Sequence, residues 1–278
     1  MTPSVNAPMR HVLIATVWLY FGVLLLGPIG YLGWEAMREG LGAFWTEITR
    51  PEALHGFLLT VEITAIVLVM NLIFGTITAL VLVRQRFIGR AMLSGMIDLP
   101  FAVSPVIAGF MLILLFGPAT LLGSFFGSLG VKVLFAVPAM VLATLFVTFP
   151  FVVRELTPLL QMLGTDSEEA ARTLGATEWE VFLKVTLPSI RWGLAYGATL
   201  TVARAIGEFG AVLVVSGNIL SVTQTATLHI YQNYVDFNYV GAYAVAGVLL
   251  AASFLILIGL EIARTRATAS LQEREKIA

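Results

Sequence analysis

Six long apolar segments recur along the 278 residues, and they constrain the fold more than any other feature of the sequence. Each is long enough to cross the hydrocarbon core of a bilayer, which takes about 20 residues of α-helix. Only 12% of the residues are charged and 58% are hydrophobic, whereas a soluble domain carries about 25% charged residues. The sequence therefore predicts an all-α integral membrane protein with six transmembrane helices. The predicted spans are approximately residues 11–34, 57–83, 91–116, 131–153, 192–215 and 239–263.

The distribution of basic residues predicts the orientation of these spans. If the N-terminus is cytoplasmic, twelve Lys and Arg residues fall in cytoplasmic segments, three fall in external loops, and Arg204 lies within a span. Lys and Arg are enriched in the cytoplasmic loops of membrane proteins. We therefore expect cytoplasmic N- and C-termini, with a cytoplasmic segment at residues 1–10, a transmembrane domain at 11–263 and a cytoplasmic tail at 264–278. The first apolar run is too long for a signal peptide, so we expect a retained helix.

A polar segment, residues 155–191, joins the fourth and fifth predicted spans on the cytoplasmic side. Thr165 and Glu168 have the spacing of a capping box, in which two side chains satisfy the free N–H groups at a helix start. A helix is therefore predicted to begin near Asp166. Gly175 stands where that helix would end in a left-handed conformation, which glycine adopts without steric cost.

A second helix is predicted to follow the glycine. Thr177 and Glu180 form another capping-box pattern, and Pro188 is expected to end this helix because proline lacks a backbone N–H group. The predicted product is two short helices joined by a glycine turn, lying on the inner surface of the membrane.

The same segment carries a spaced motif. It reads Glu169-Ala170-Ala171, three residues, Gly175, nine residues, and then Val185-Thr186-Leu187-Pro188. This resembles the EAA motif of the binding-protein-dependent, MetI-like permeases of ATP-binding-cassette (ABC) importers, with Val185 in place of the usual Ile. The resemblance implies the MetI-like permease fold and a coupling helix that docks into a groove on an ABC ATPase. It also implies a coupling role for six residues, which are Glu169, Ala170, Ala171, Gly175, Leu187 and Pro188.

The residue types suit such a role. Ala170 and Ala171 make a slim helix that can enter a groove closely, Glu169 offers a charge to a basic partner, and Gly175 permits a sharp turn. The alternative is an ordinary solvated amphipathic hairpin.

Three further strings resemble the sulfate/thiosulfate permeases within this class. They are Leu99-Pro100-Phe101-Ala102-Val103-Ser104-Pro105-Val106-Ile107-Ala108-Gly109, Phe146-Val147-Thr148-Phe149-Pro150-Phe151-Val152-Val153-Arg154-Glu155 and Ala203-Arg204-Ala205-Ile206-Gly207-Glu208-Phe209-Gly210-Ala211. The second string and Ser216-Gly217 favour the CysW type. The chain departs from that family at Asn218-Ile219-Leu220-Ser221, where the family commonly has His-Ile-Arg-Gly. Molybdate permeases share much of the third string, so a permease for molybdate, tungstate or another oxyanion is the nearer alternative.

The resemblance implies a permease subunit that translocates sulfate or thiosulfate by alternating access. The implied partners are a second permease subunit (a CysT-type heterodimer partner), a dimer of ABC ATPase subunits that binds Mg-ATP, a periplasmic sulfate-binding protein and the lipid bilayer. Nucleic acid is not an implied partner. The implied location is the bacterial inner (plasma) membrane, as a multi-pass protein. A more distant alternative is an ion-coupled secondary transporter or channel.

Charged residues within the predicted fifth span suggest where an anion passes. Arg204 and Glu208 are four residues apart and share one helix face. Ionised groups inside a membrane usually face a bundle interior or water. We expect them to line or brace the anion pathway; the alternative is a structural ion pair that holds two helices together.

The third predicted span contains two prolines. Pro100 and Pro105 each remove a backbone donor, so this helix is expected to be broken or kinked, and Ser104 could then donate a hydrogen bond to an oxyanion. A static kink is the alternative. Asp98 could lie at a helix start, where a carboxylate is favourable. A polar residue of the second span, Asn71, is expected to bond another helix rather than a ligand.

The sequence lacks the motifs of an enzyme or a metal protein. It contains no cysteine and three widely spaced histidines, so it has no pattern of metal ligands. It also lacks the phosphate-binding Gly-x-x-x-x-Gly-Lys-[Ser/Thr] loop. We therefore expect no catalytic residue, metal or cofactor on this chain, and an ATPase on a separate subunit.

Overall fold

The structure is a computed structural model that describes residues 7–275, with side chains described for residues 9–259, 261 and 262. The first six residues of the predicted N-terminal segment and the last three of the predicted tail lie outside the described residues. The described part of the chain is helical with connecting turns and contains no strand, which confirms the all-α prediction. Its helices are α1 (Ala7–Phe21), α2 (Gly27–Met37), α3 (Leu41–Ile48), α4 (Pro51–Arg84), α5 (Arg90–Ala102), α6 (Pro105–Phe116), α7 (Leu121–Ser128), α8 (Val137–Leu163), α9 (Asp166–Thr173), α10 (Glu178–Val181), α11 (Leu187–Ile206), α12 (Gly210–Ser216), α13 (Ala226–Val235) and α14 (Tyr239–Glu275).

Four helical stretches are long and apolar enough to cross a membrane: Met9–Met37, Pro51–Arg84, Val137–Leu163 and Tyr239–Gly259. Two further stretches meet the same requirement when each is counted as a pair of helices with a bend between them. These pairs are Arg90–Ala102 with Pro105–Phe116, bent by 115°, and Glu178–Ile206 with Gly210–Ser216, bent by 56°. The structure thus has six candidate spans within its described residues, and two of them are broken.

The break in the third candidate span follows from proline. Pro105 disfavours helical geometry in the residue before it, and Ser104 has φ −59° and ψ 138°, outside the helical region. Pro100, in contrast, lies inside α5 without ending it. The predicted break is therefore confirmed, and the stretch predicted at 91–116 consists of two helices at a large angle.

Helix α8 lies at the centre of the bundle, where it packs against α4, α11 and α12. One buried apolar cluster includes Leu59, Ile63 and Val67 of α4 with Met140 and Val147 of α8. Burial of such side chains contributes about 1.5–3 kcal/mol each in a water-solvated protein, but in lipid close packing and interhelical hydrogen bonds carry more of the association.

Small residues bring the central helices close together. A Cβ atom added to Gly75 of α4 would lie 2.9 Å from Cβ of Val152, and one added to Gly197 of α11 would lie 3.1 Å from Cα of the same valine. Val152 of α8 is thus held between two glycines. The amide of Asn71 donates to Oγ1 of Thr148 at 2.7 Å, which confirms that this asparagine joins two helices.

The fifth span differs from its prediction at Pro188. This proline does not end a helix, because Glu178–Ile206 runs as one helical stretch. The segment Phe182–Thr186 is a π-helical turn, in which the N–H group of Leu187 donates to the carbonyl of Phe182. A widened turn relieves the clash between a proline ring and the preceding turn of a regular helix. The expectation that Pro188 is a helix end is therefore wrong.

Helix α8 continues to Leu163, into the segment predicted at residues 155–191. At the other end of the chain, α14 continues as backbone helix through residue 275, over most of the predicted tail. Of the four unbroken spans, the first is the least integrated: none of its most apolar window is buried inside the chain, against 56% for α8.

Candidate functional site

The connection between α8 and α11 forms a compact bend that we call the elbow, defined as residues Asp166–Pro188. Its first helix, α9, begins at Asp166, as predicted. Gly175 then has φ +88°, in the region that favours glycine, and the N–H group of Ala176 donates to the carbonyl of Ala171 at 3.1 Å. The glycine turn predicted from the sequence is confirmed.

The second helix of the elbow begins with the capping box predicted at Thr177 and Glu180. The N–H group of Glu180 donates to Oγ1 of Thr177 at 3.3 Å, and the N–H group of Thr177 donates to Oε2 of Glu180 at 3.0 Å. Such a cap stabilises a helix start by about 1 kcal/mol.

The first predicted capping box, at Thr165 and Glu168, is not formed. Thr165 has no side-chain capping bond, and its Oγ1 donates to Oε1 of Glu169 at 2.7 Å instead. Glu168 is only 7% exposed and turns inward. Its carboxylate is attracted by Arg84, 84 residues earlier in the chain, which local spacing does not reveal.

Arg84, the last residue of α4, contacts three segments at once. Its Nη2 donates to Oε1 of Glu168 at 3.1 Å and to the carbonyl of Gly164 at 2.6 Å, and its Nη1 donates to the carbonyl of Leu160 at 3.2 Å. The hydroxyl of Thr186 donates to the same Glu168 oxygen at 3.0 Å. We call the Arg84–Glu168–Thr186 contacts the joint. Sequence reasoning missed the joint.

A second ion pair closes the elbow on its exposed side. Arg172 of α9 and Glu178 of α10 form two hydrogen bonds, from Nε to Oε1 at 2.7 Å and from Nη2 to Oε2 at 3.0 Å. The hydrogen bond from Arg172 to the Glu178 carboxylate raises the pKa of Arg172 above its ordinary value. The pair ties the two halves of the elbow to each other across Gly175.

The predicted coupling residues divide into two groups. Glu169, Ala170 and Gly175 are exposed, and Ala171 is partly buried. Leu187 is partly buried and Pro188 is exposed, directly after the π-helical turn. Beside the first group stands Leu174, a large apolar side chain that is 89% exposed.

The residues predicted for the pathway lie at the two breaks. Ser104 is exposed at the break between α5 and α6, and Glu208 lies beyond the end of α11 rather than within it. The breaks are neighbours, because α6 packs on α12 and a Cβ atom added to Gly210 would lie 3.2 Å from Cβ of Pro105. Two unwound segments, which follow the ends of α5 and α11, therefore lie next to each other.

Arg204 and Glu208 form an ion pair at this place. Nη1 of Arg204 lies 2.8 Å from Oε2 of Glu208, and the arginine side chain is 35% exposed while the glutamate side chain is 1% exposed. The contact lacks hydrogen-bond geometry at Oε2, so it is electrostatic. The other oxygen, Oε1, accepts the N–H group of Ala211 at 3.0 Å.

A further ion pair was not predicted. Arg154 of α8 donates from Nε to Oδ1 of Asp98 at 2.6 Å and from Nη2 to the carbonyl of Ser94 at 3.1 Å. Asp98 is eight residues past the first residue of α5, Arg90, so the expectation that it sits at a helix start is wrong. The only available signal was the opposite charge of Asp98, in the third predicted span, and Arg154, one residue past the fourth.

Comparison with known proteins places the chain among transport proteins. A model of the family described as "binding-protein-dependent transport system inner membrane component" matches residues 71–266. The chain is 43% identical over 267 residues to the sulfate transport system permease protein CysW of Synechocystis sp., covering 95% of this chain and 97% of that one. It is 36% identical over 253 residues to the sulfate transport system permease protein CysT of Escherichia coli K12, covering 91% of each. Its structure resembles a chain of a bacterial ABC transporter that imports alginate, with a TM-score of 0.76, 16% identity and coverage of 92% and 95%.

Proposed function

The chain belongs to the binding-protein-dependent transport system inner membrane component family, and we propose that it is the CysW-type subunit of an ABC importer that carries sulfate or thiosulfate. The observation that carries this proposal is the 43% identity to a sulfate permease protein over 95% of the chain. The alignment leaves almost no part of either chain unmatched, so it covers the elbow and both broken spans. Similarity to the CysT protein is lower, at 36%, which favours the CysW type.

The elbow supplies the means by which ATP hydrolysis acts on this chain. Glu169, Ala170, Ala171 and Gly175 form the surface that enters the ATPase groove, with the exposed Leu174 as an apolar contact beside them. Leu187 and Pro188 connect that surface to α11. When ATP closes the ATPase dimer, the elbow moves with the groove, and the attached helices turn the cavity from one side of the membrane to the other.

The two adjoining breaks supply the path of the anion. Arg204 presents a partly exposed guanidinium there, and Ser104 presents a hydroxyl, which are the donor types that an oxyanion needs. Glu208 holds the arginine in position and, by offsetting part of its charge, prevents the anion from binding too tightly to leave. The full pathway forms where this chain meets a second permease subunit.

The partners follow from the same assignment. They are a CysT-type permease as heterodimer partner, an ABC ATPase dimer that binds Mg-ATP, and a periplasmic sulfate-binding protein. The elbow and both termini face the cytoplasm of a bacterial cell, with the spans in the inner membrane, as the distribution of Lys and Arg predicts.

The proposal is tested by reconstituting the chain in liposomes with these partners and measuring uptake of labelled sulfate. We expect the uptake to require ATP and the binding protein. Unlabelled thiosulfate should inhibit it by competition, and excess molybdate should not. Preferential uptake of molybdate or tungstate would replace the substrate assignment. Uptake by the chain alone, without the ATPase, would refute the ABC importer and favour an ion-coupled transporter or channel.

Coupling is tested by co-purification of the ATPase subunit. We expect Glu169→Lys and Gly175→Val to abolish co-purification, because the first reverses a charge at the docking surface and the second places a β-branched residue at φ +88°. Glu39→Lys is the matched control, since Glu39 is an exposed acid outside the elbow. Retention of the ATPase by both elbow variants would contradict the assignment.

A further inference from the structure

Helix α9, which carries most of the docking surface, is attached to the rest of the chain through glycine at both ends. Gly164 precedes it with φ +62°, and Gly175 follows it with φ +88°. Glycine populates more backbone conformations than any other residue. Covalent attachment alone would therefore let α9 tilt when a partner pushes it, without moving the membrane helices.

The joint restrains this freedom. Glu168 projects from α9 and accepts hydrogen bonds from Arg84 and Thr186, at 3.1 and 3.0 Å. The side chains of Arg84 and Glu168 are only 15% and 9% exposed. A contact shielded from water is stronger than the same contact on the surface, and separating the pair would leave a buried charge without a partner.

Arg84 extends this restraint to the core of the bundle. It ends α4, and its guanidinium also donates to the carbonyls of Leu160 and Gly164 at the C-terminus of α8. Free carbonyls at a helix C-terminus are favourable partners for a cation. Thr186 lies directly before α11, and its hydrogen bond to Glu168 brings the start of α11 into the same cluster. One cluster of side chains thus joins the ends of α4, α8, α9 and α11.

We infer that Arg84 and Glu168 are positioning residues for energy coupling: their buried contact makes α9 move as one body with α4 and α8 when the ATPase moves the elbow. This inference rests on the proposed function, because it requires that an ATPase docks at the elbow. Neither residue belongs to the docking surface, since Glu168 is buried on the opposite side of α9 from the exposed Glu169 and Ala170.

The Arg172–Glu178 pair provides an internal comparison. It joins opposite charges in the same elbow, but the two side chains are 40% and 77% exposed, and both belong to the elbow itself. Exposed ion pairs contribute little, about 0–1 kcal/mol. Arg172→Gln/Glu178→Gln is therefore a matched control for Arg84→Gln/Glu168→Gln, because it makes the same two chemical changes without touching the joint.

The first measurement is the amount of sulfate imported per ATP hydrolysed by the reconstituted complex. For Arg84→Gln/Glu168→Gln, which removes both charges and leaves none unpaired, we expect ATPase co-purification and hydrolysis to persist while import per ATP falls about five-fold or more, the lower end of typical coupling effects. Arg172→Gln/Glu178→Gln should stay within about two-fold of the wild type, as the exposure of that pair implies. Import per ATP at the wild-type level in the double variant would overturn the inference.

The second measurement does not depend on transport. The chain contains no cysteine, so spin labels can be placed at Ser167→Cys on α9 and Phe74→Cys on α4, both exposed positions outside the docking surface. We expect a narrow distance distribution with the joint intact and a clearly broader one in the Arg84→Gln/Glu168→Gln background. The distribution in the Arg172→Gln/Glu178→Gln background should equal that of the wild type. An unchanged distribution in the double variant would refute the joint. Failure of the wild type to import any oxyanion would instead refute the proposed function.

Discussion

The Arg204–Glu208 pair permits a prediction that separates a pathway role from a bracing role. Arg204→Ala would leave the Glu208 carboxylate, 1% exposed, without an opposite charge. Within the described part of the chain, no donor with hydrogen-bond geometry reaches its Oε2. The Ala211 N–H group would remain on Oε1. A second substitution, Glu208→Gln, keeps the shape and that hydrogen bond but removes the charge.

The magnitude follows from the geometry. At the observed 2.8 Å, two unit charges attract by about 6 kcal/mol at an effective dielectric constant of about 20. Desolvation offsets much of this attraction, and removing one partner of a buried pair costs about 3–5 kcal/mol. Because Arg204 is 35% exposed, water screens the pair, and we expect about 2–3 kcal/mol for Arg204→Ala. At about 2–4 °C per kcal/mol, the midpoint of thermal unfolding should fall by roughly 4–12 °C.

The assay combines thermal unfolding of the purified complex with sulfate uptake. We expect Arg204→Ala to be destabilised and inactive, and Arg204→Ala/Glu208→Gln to recover most of the stability while remaining inactive, because the pathway still lacks its cation. If the double variant is no more stable than the single one, the electrostatic reasoning is wrong. If it regains uptake, Arg204 is a brace and not part of the pathway.

Three further predictions concern the helices and the elbow. Gly75→Ala should destabilise the bundle by about 1–3 kcal/mol by overpacking against Val152, whose Cβ lies 2.9 Å from the added atom. Gly95→Ala, with open space around it, is the control and should not lower the unfolding midpoint. Thr177→Ala should remove a helix cap that stabilises the helix start by about 1 kcal/mol. Amide hydrogen exchange at the start of α10 should then become faster, and unchanged exchange there would contradict the role of the cap. Gly175→Ala meets no neighbouring atom but must adopt φ +88°, so it should cost about 1–2 kcal/mol and weaken ATPase binding in a pull-down; an unaltered pull-down would show that the turn tolerates a side chain.

Local features of the fold and the elbow were predictable from the sequence. The apolar segments, the start of α9 at Asp166, the turn at Gly175 and the cap at Thr177 each depend on residues a few positions apart. Their physics is contained in short-range backbone geometry. The broken third span was predictable for the same reason, since Pro105 acts on its immediate neighbour.

The features that the sequence did not reveal depend on distant partners. Glu168 has the spacing of a capping residue, but Arg84 offers a charged partner in a buried place, and that interaction prevails over the local one. Asp98 likewise forms an ion pair with Arg154, 56 residues away. The continuation of the helix through Pro188 required a widened turn, which replaces the hydrogen-bond pattern that a proline would otherwise interrupt.

The central position of α8 has a consequence for how the sequence can change over time. A helix surrounded by neighbours accepts few side-chain volumes at each position, whereas one that faces lipid accepts almost any apolar residue. Substitution tolerance, measured for every position by growth on limiting sulfate, should therefore rise in steps from α8 through α4 and α14 to the first span, parallel to the buried shares of 56%, 33%, 22% and 0%. The order in which these helices diverge between species would then follow their distance from the axis of the bundle.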